Sequence, residues 1–199
     1  MNDPREHWPL PDHLDLRDRL LAAYAAPSRF YHDLRHLGEV LDRATELLAE
    51  ATAAIDRDAV LLAAWFHDAV YEGARDDEER SAALAERELA ATPSLAAEVA
   101  RLVHTTATHR PPEDDPAGQL LCDADLAILA APPARYEEYV VGVRREYDAV
   151  SDAEFRNGRA AVLRDLLDKP TLFHSAYARE HWEQPARVNV QRELSELER

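Results

Sequence analysis

The nine residues Asp58-Ala-Val-Leu-Leu-Ala-Ala-Trp-Phe66 give a helix almost no polar face, and they run directly into His67-Asp68. A helix that is apolar on nearly every side has to be buried. The fold must therefore also enclose the approaches to an imidazole and a carboxylate. An ionised carboxylate taken out of water has to be paired, hydrogen-bonded or bound to a metal. Whatever else this chain does, it has to bring partners to positions 67 and 68. The expected occupant is a divalent metal ion. The plainer alternative is a hydrogen-bonded polar pair at a helix C-terminus, where a histidine suits the helix dipole.

The chain has 199 residues, enough for one domain with a sizeable core. Five glycines among abundant Ala, Leu, Glu and Arg predict an all-α protein, a single-domain helical bundle. A formal net charge of −16 argues against a nucleic-acid polymer or an anionic membrane as partner, since the average surface repels polyanions. A small phosphorylated substrate is still allowed, because a metal and a few arginines reverse the local field. The single cysteine, Cys122, excludes an internal disulfide and a Cys-rich zinc site. With no apolar signal core at the N-terminus and no apolar stretch of spanning length, a cytoplasmic protein is expected.

Residues 1–11 are polar and proline-containing and read as a loose N-terminal arm, with the domain over 12–199. Helices are predicted from about Asp12 to Tyr24, from about Leu37 to Leu48, over 57–71, over 77–91, and from Thr92-Pro93 to about His104–His109. Asp76 and Glu79 have capping-box form at the start of the fourth. Arg110 to Gly118 reads as a loop, followed by a short helix at Leu120–Leu126; the ordinary reading of its acids is Asp123 as an N-cap and Asp125 in a first helical turn. Further helices start at Pro132-Pro133 and at the Ser151–Glu154 capping box, and a last one covers about 178–197. His32 and His36, four apart, share a face if the turn before Leu37 is already helical.

The order His36, His67-Asp68, Asp125 provides two imidazoles and two carboxylates. That mixed set suits Mn, Fe, Zn or Mg-like ions rather than thiolate chemistry. Neighbours on a helix diverge by about 100°. One ion can therefore reach both His67 and Asp68 only from over the groove between them, with the segments bearing His36 and Asp125 packed across it. A bound ion with open positions lowers the pKa of its water and makes hydroxide available near neutral pH.

The segments His36-Leu-Gly-Glu-Val40, Trp65-Phe-His67-Asp68 and Cys122-Asp-Ala-Asp125-Leu resemble the H…HD…D pattern of the HD-domain superfamily of metal-dependent phosphohydrolases. The opening Tyr31-His32-x-x-x-His36 resembles its small bacterial branch. The likeness extends through Glu78-Glu-Arg-Ser-Ala82, Thr106-Ala-Thr-His109, Arg144-Arg-Glu-Tyr147 and Ala186-Arg-Val-Asn189, so it covers the chain from about Leu14 onward. The resemblance implies an HD-type bundle and a divalent ion (Mn, Fe, Zn, Mg, Ni or Co) held by His36, His67, Asp68 and Asp125. The implied activity is hydrolysis of a phosphomonoester or phosphodiester, in a nucleotide or a related small phosphorylated metabolite. It aligns Asp125 with the metal ligand and leaves Asp123 to orient one, with His104 as a second outlying group. A register with His32 as the first ligand stays open.

By the same resemblance Asp68, His32 and His109 are the expected catalytic groups, and His109 is preferred to His104 because it falls in a matching segment. Tyr31, Glu72, Glu79, Arg144 and Tyr147 are expected to face substrate. Each has a plainer role: core or rim aromatics for the tyrosines, a capping partner for Glu79, a solvated loop carboxylate for Glu72, a surface ion pair for Arg144. Beside the enzyme stands a second expectation, a catalytically silent HD scaffold that binds metal and nucleotide as a sensing module. The oligomeric state is left open, a homodimer being compatible with the sequence.

Overall fold

The computed structural model describes residues 3–199, and the apolar run lies at its centre as α3 (Arg57–Phe66). Asp56 caps α3 by accepting from the N–H groups of Asp58 and Ala59, both at 3.1 Å. Every residue from Ala59 to Phe66 is then buried. The helices packed around it include α2 (Leu34–Glu50), α5 (Pro93–Thr106) and α6 (Pro116–Leu126). Leu37, Val40, Leu41, Ala44 and Leu47 form the buried stripe of α2. Outside this centre, α1 (Leu14–Tyr24) lies against α2, and α4 (Asp77–Glu88) runs along α5.

The C-terminal half forms a second layer of α7 (Pro133–Glu146), α8 (Asp152–Asp168), α9 (Ala176–His181) and α10 (Glu183–Leu197). It is locked on by α10, which packs against α8 and a 3-10 turn at Ala127–Ala130. Buried Asn189 donates to the carbonyls of Leu129 and Ala131, both at 2.9 Å. Arg159 pairs with Glu193 at 2.7 Å and with the Tyr139 hydroxyl, deep in the same layer. The chain is thus an all-α bundle in one domain, with no strand among the described residues. Among the described residues, no helix is long and apolar enough to cross a membrane.

Several boundaries differ from the sequence reading, each through a specific contact. The central helix stops at Phe66, not at Tyr71, because the Asp68 N–H is taken by the Tyr24 hydroxyl at 3.2 Å. The Arg29 guanidinium also claims the carbonyls of Asp68 and Ala69. The sixth helix starts at Pro116 instead of Leu120, since Asp115 caps it by accepting from the Gly118 N–H at 3.0 Å. Asp76 makes no side-chain cap on α4; the buried Asp77 instead accepts from the N–H groups of Glu72 and Ala74. The predicted last helix breaks at Trp182, which packs against Phe173, while Glu183 accepts from the Leu172 and Phe173 N–H groups. The N-terminal arm is not loose. The His7 ring lies between Asp42 (3.0 Å) and the Thr45 hydroxyl (3.1 Å), and Trp8 sets its edge on Trp65. Met1 and Asn2 of that arm lie outside the described residues.

Leu62 has no exposed surface at the middle of α3. Leu62→Ala is expected to cost about 2–5 kcal/mol, by transfer free energy lost and a cavity left unfilled. Urea unfolding followed by circular dichroism measures it as a lowered midpoint.

Candidate metal centre

Three separate elements deliver four donors to one point. Asp33 caps α2 by accepting from Arg35 N–H (2.8 Å) and His36 N–H (3.2 Å), which places His36 in the first turn. His67 is the C-cap of α3, Asp68 follows it, and Asp125 sits in the last turn of α6. The Nε2 atoms of His36 and His67 are 3.1 Å apart. Asp68 Oδ2 is 3.3 Å from the first and 3.1 Å from the second. Asp125 Oδ1 is 3.3 Å and 3.6 Å from the same two nitrogens. Donor atoms of His36, His67 and Asp68 all lie within 4.8 Å of one another, and Asp125 joins through both imidazoles.

His67 Nδ1 donates to the Ala64 carbonyl at 2.8 Å, which fixes a proton on Nδ1 and leaves Nε2 as the ring atom that faces the cluster. Both imidazoles are buried. Burial opposes their protonation, yet Asp68 raises the pKa of His67 well above the ordinary value, and Asp125 and then Asp68 raise that of His36. Burial likewise opposes ionisation of the carboxylates. The imidazoles of His67 and His32 nevertheless hold Asp68 well below the usual range, and hydrogen bonds from His109, His36 and His67 do the same for Asp125. Both acids are therefore held in the ionised form by the imidazoles around them.

This donor set fits a divalent ion. Two imidazole nitrogens and two carboxylates neutralise a 2+ charge and match borderline metals. With bonds of about 2.1 Å, adjacent donors stand about 3.0 Å apart around an octahedral ion and about 3.4 Å around a tetrahedral one. The observed spacings of 3.1 to 3.6 Å fall close to these edges. Thiolate chemistry is absent, because Cys122 is buried and burial pushes its thiol up.

Two residues that sequence reasoning did not single out hold the surroundings in place. Arg29 is buried beneath the cluster, with Nη1 donating to the carbonyls of His32 (2.9 Å) and Asp68 (2.6 Å) and Nη2 to that of Ala69 (3.0 Å). Glu146 is the other. One of its oxygens accepts from the N–H groups of Phe30 (2.7 Å), Tyr31 (2.7 Å) and His32 (3.0 Å). The other meets His32 Nδ1 at 2.7 Å and the Tyr71 hydroxyl at 3.2 Å. Gly142, one turn earlier on α7, makes this approach feasible: a Cβ there would lie 2.6 Å from the Phe30 carbonyl oxygen. Glu146 lies in the Arg144–Tyr147 segment, the only signal for it in the sequence.

The other predicted residues divide. His32 precedes α2 and is not on its face; its ring stacks on Tyr71 at 4.1 Å and lies 5.5 Å from His36. His109 Nε2 meets the second oxygen of Asp125 at 2.8 Å. Its backbone has φ of 49°, the one non-glycine positive φ among the described residues, a conformation that costs about 1–3 kcal/mol. Tyr31 is buried, with its ring against the imidazoles of His32 and His36. Asp123 neither caps a helix nor orients a ligand: it accepts from the N–H groups of His174 and Ser175, both at 2.7 Å, tying α6 to the C-terminal layer. His104 and Glu79 pair with each other at 3.5 Å on the exposed surface. Glu72 pairs with Arg80 in solvent. Arg144 closes the end of α7 through Asp152 and the carbonyls of Tyr147 and Val150, and Tyr147 rests beside Phe155.

Scans against protein-family models, curated proteins and solved structures found no match to this chain.

Proposed function

We infer that this chain is a metal-dependent phosphohydrolase of HD type, acting on a phosphomonoester or phosphodiester of a small metabolite. The observation that carries the reading is the convergence of His36, His67, Asp68 and Asp125 from three elements, with the His67 tautomer set by a backbone carbonyl. The likeness of the flanking segments to the HD superfamily supports it. A divalent ion held there supplies Lewis acidity at a phosphoryl oxygen and a water of lowered pKa. The remaining groups are the protein's own. Glu146 accepts from His32 Nδ1–H, which leaves the Nε2 lone pair free to take a proton and then, as the imidazolium, to donate to an anionic oxygen. His109 holds Asp125 by its outer oxygen, so that its inner oxygen keeps facing the imidazoles.

The 199-residue chain with Mn²⁺ is expected to release p-nitrophenol from p-nitrophenyl phosphate or its bis-ester. Chelation should abolish the rate and added Mn²⁺ restore it. A rate indifferent to chelation contradicts the reading. The exposed Glu72–Arg80 pair favours a second one, a scaffold that binds metal and nucleotide without turnover, because the loop carboxylate nearest the cluster in sequence is engaged elsewhere. Nucleotide-dependent thermal stabilisation without any phosphate release would select it.

A further inference from the structure

One cavity of about 200 Å³ opens beside the cluster, and His36 and Asp125 are part of its wall. From His36 it follows one face of α2 past Glu39 to Arg43 and is closed by Arg135 of α7 and by Trp182. Its remaining wall is small and apolar, mostly alanines of α6 and the turn after it.

A second observation makes this a site for something. His36 is only 2% exposed, and its Nε2 is committed to the cluster. Its Nδ1 has no hydrogen-bond partner among the described residues, whereas Nδ1 of His67 is satisfied by Ala64. A histidine bound to metal through Nε2 carries its proton on Nδ1, and a buried N–H of that kind is normally matched by an acceptor. His36 itself lines the cavity. The other polar groups there are of both kinds. Arg135 and Arg43 are donors, and Glu39 is an acceptor held ionised, against its burial, by Arg135. Glu39 receives two 2.7 Å bonds from Arg135 and one from Arg35. A wall with a carboxylate repels a second phosphate, while alternating donors and acceptors suit hydroxyl groups, which are both. At about 30 Å³ per water molecule the cleft has room for about six or seven waters, the bulk of one small ring.

We propose that this cleft is the subsite for the hydroxylated ring of a pentose-sized sugar phosphate, whose oxygen accepts from His36 Nδ1–H. The proposal rests on the hydrolase reading above and names the substrate class of that site. The phosphoryl group sits at the cluster. The ring lies between Glu39–Arg135 and the apolar wall.

The test compares ribose-5-phosphate with inorganic phosphate and p-nitrophenyl phosphate. Saturation-transfer NMR on the chain loaded with diamagnetic Zn²⁺, which reads binding and not turnover, is expected to show the ribose ring protons in contact with protein. Ribose-5-phosphate should bind about tenfold more tightly than inorganic phosphate. Ala131→Phe fills the cleft and should remove that preference while leaving Mn²⁺ content and melting temperature at wild-type values. Glu39→Gln, which keeps the shape, should weaken ribose-5-phosphate binding by about three- to tenfold even if Ala131→Phe does not fold. Ribose-5-phosphate binding no tighter than inorganic phosphate, or unchanged in both variants, overturns the proposal. Variant-sensitive ribose-5-phosphate binding with no ester hydrolysed would sustain the subsite and refute the hydrolase. Equal kcat/KM for both esters, unchanged by either substitution, would do the reverse.

Discussion

His67→Ala is expected to lower kcat/KM for phosphate-ester hydrolysis by about 10³-fold or more, equivalent to about 4 kcal/mol of transition-state stabilisation. The imidazole contributes one of the two nitrogen donors, and its Nε2 lies within 3.6 Å of each of the other three donor atoms. Without it the two ionised carboxylates face each other with one imidazole between them, and metal affinity falls with activity. The loss is one of chemistry and not of folding, because His67 caps the end of α3 and the buried residues Ala59–Phe66 are untouched. Steady-state kinetics beside far-UV circular dichroism test this. Wild-type turnover in a folded variant would refute the role given to His67.

Glu146→Gln carries the second large effect. The carboxylate spends one oxygen on three backbone N–H groups and the other on His32. In the glutamine the oxygen stays with those N–H donors, so the amide NH₂ faces His32 Nδ1. A donor there forces the proton of the neutral ring onto Nε2, reversing the tautomer. Turnover is expected to fall by about 10²-fold, the scale of a misdirected proton-handling group. ¹⁵N-resolved NMR of the ring should report the exchange of protonated nitrogens; an unchanged tautomer contradicts the assignment. The same pair predicts an acid response. Although burial opposes it, the His32 ring and the N–H groups of Tyr31 and Phe30 bring the Glu146 pKa down to about 2 from 4.5. A depressed carboxyl pKa contributes stability above about pH 4.5 that drains away as pH falls toward 2. The glutamine variant should lack that component.

What the sequence makes legible is whatever one segment decides by itself. The apolar run of α3 and the i, i+3, i+4 stripe of α2 announce buried helices, because periodicity is a local property. The donors His36, His67, Asp68 and Asp125 stand out because imidazoles and acids beside apolar runs need an explanation, and the structure brings the four together. Boundaries set by remote groups are hidden. Nothing near Asp68 announces that Tyr24, forty-four positions earlier, will end α3 by taking its N–H. Glu146 is hidden for the same reason: its partners lie 75 to 116 residues away, and its role depends on Gly142 letting two backbones meet. Glu72, Glu79, His104 and Arg144 illustrate the opposite failure. In a chain with 39 acidic and 23 basic residues, a charge near a motif readily finds an ordinary partner, as Arg80, Asp152 and the His104–Glu79 pair show.

The most direct measurement is equilibrium dialysis of the full chain against Mn²⁺, followed by elemental analysis. Wild-type protein should retain one ion per chain, and His36→Ala/His67→Ala should retain none while keeping its helical content. Full loading of the double variant, or an empty wild-type chain, would contradict a metal centre built on these four side chains.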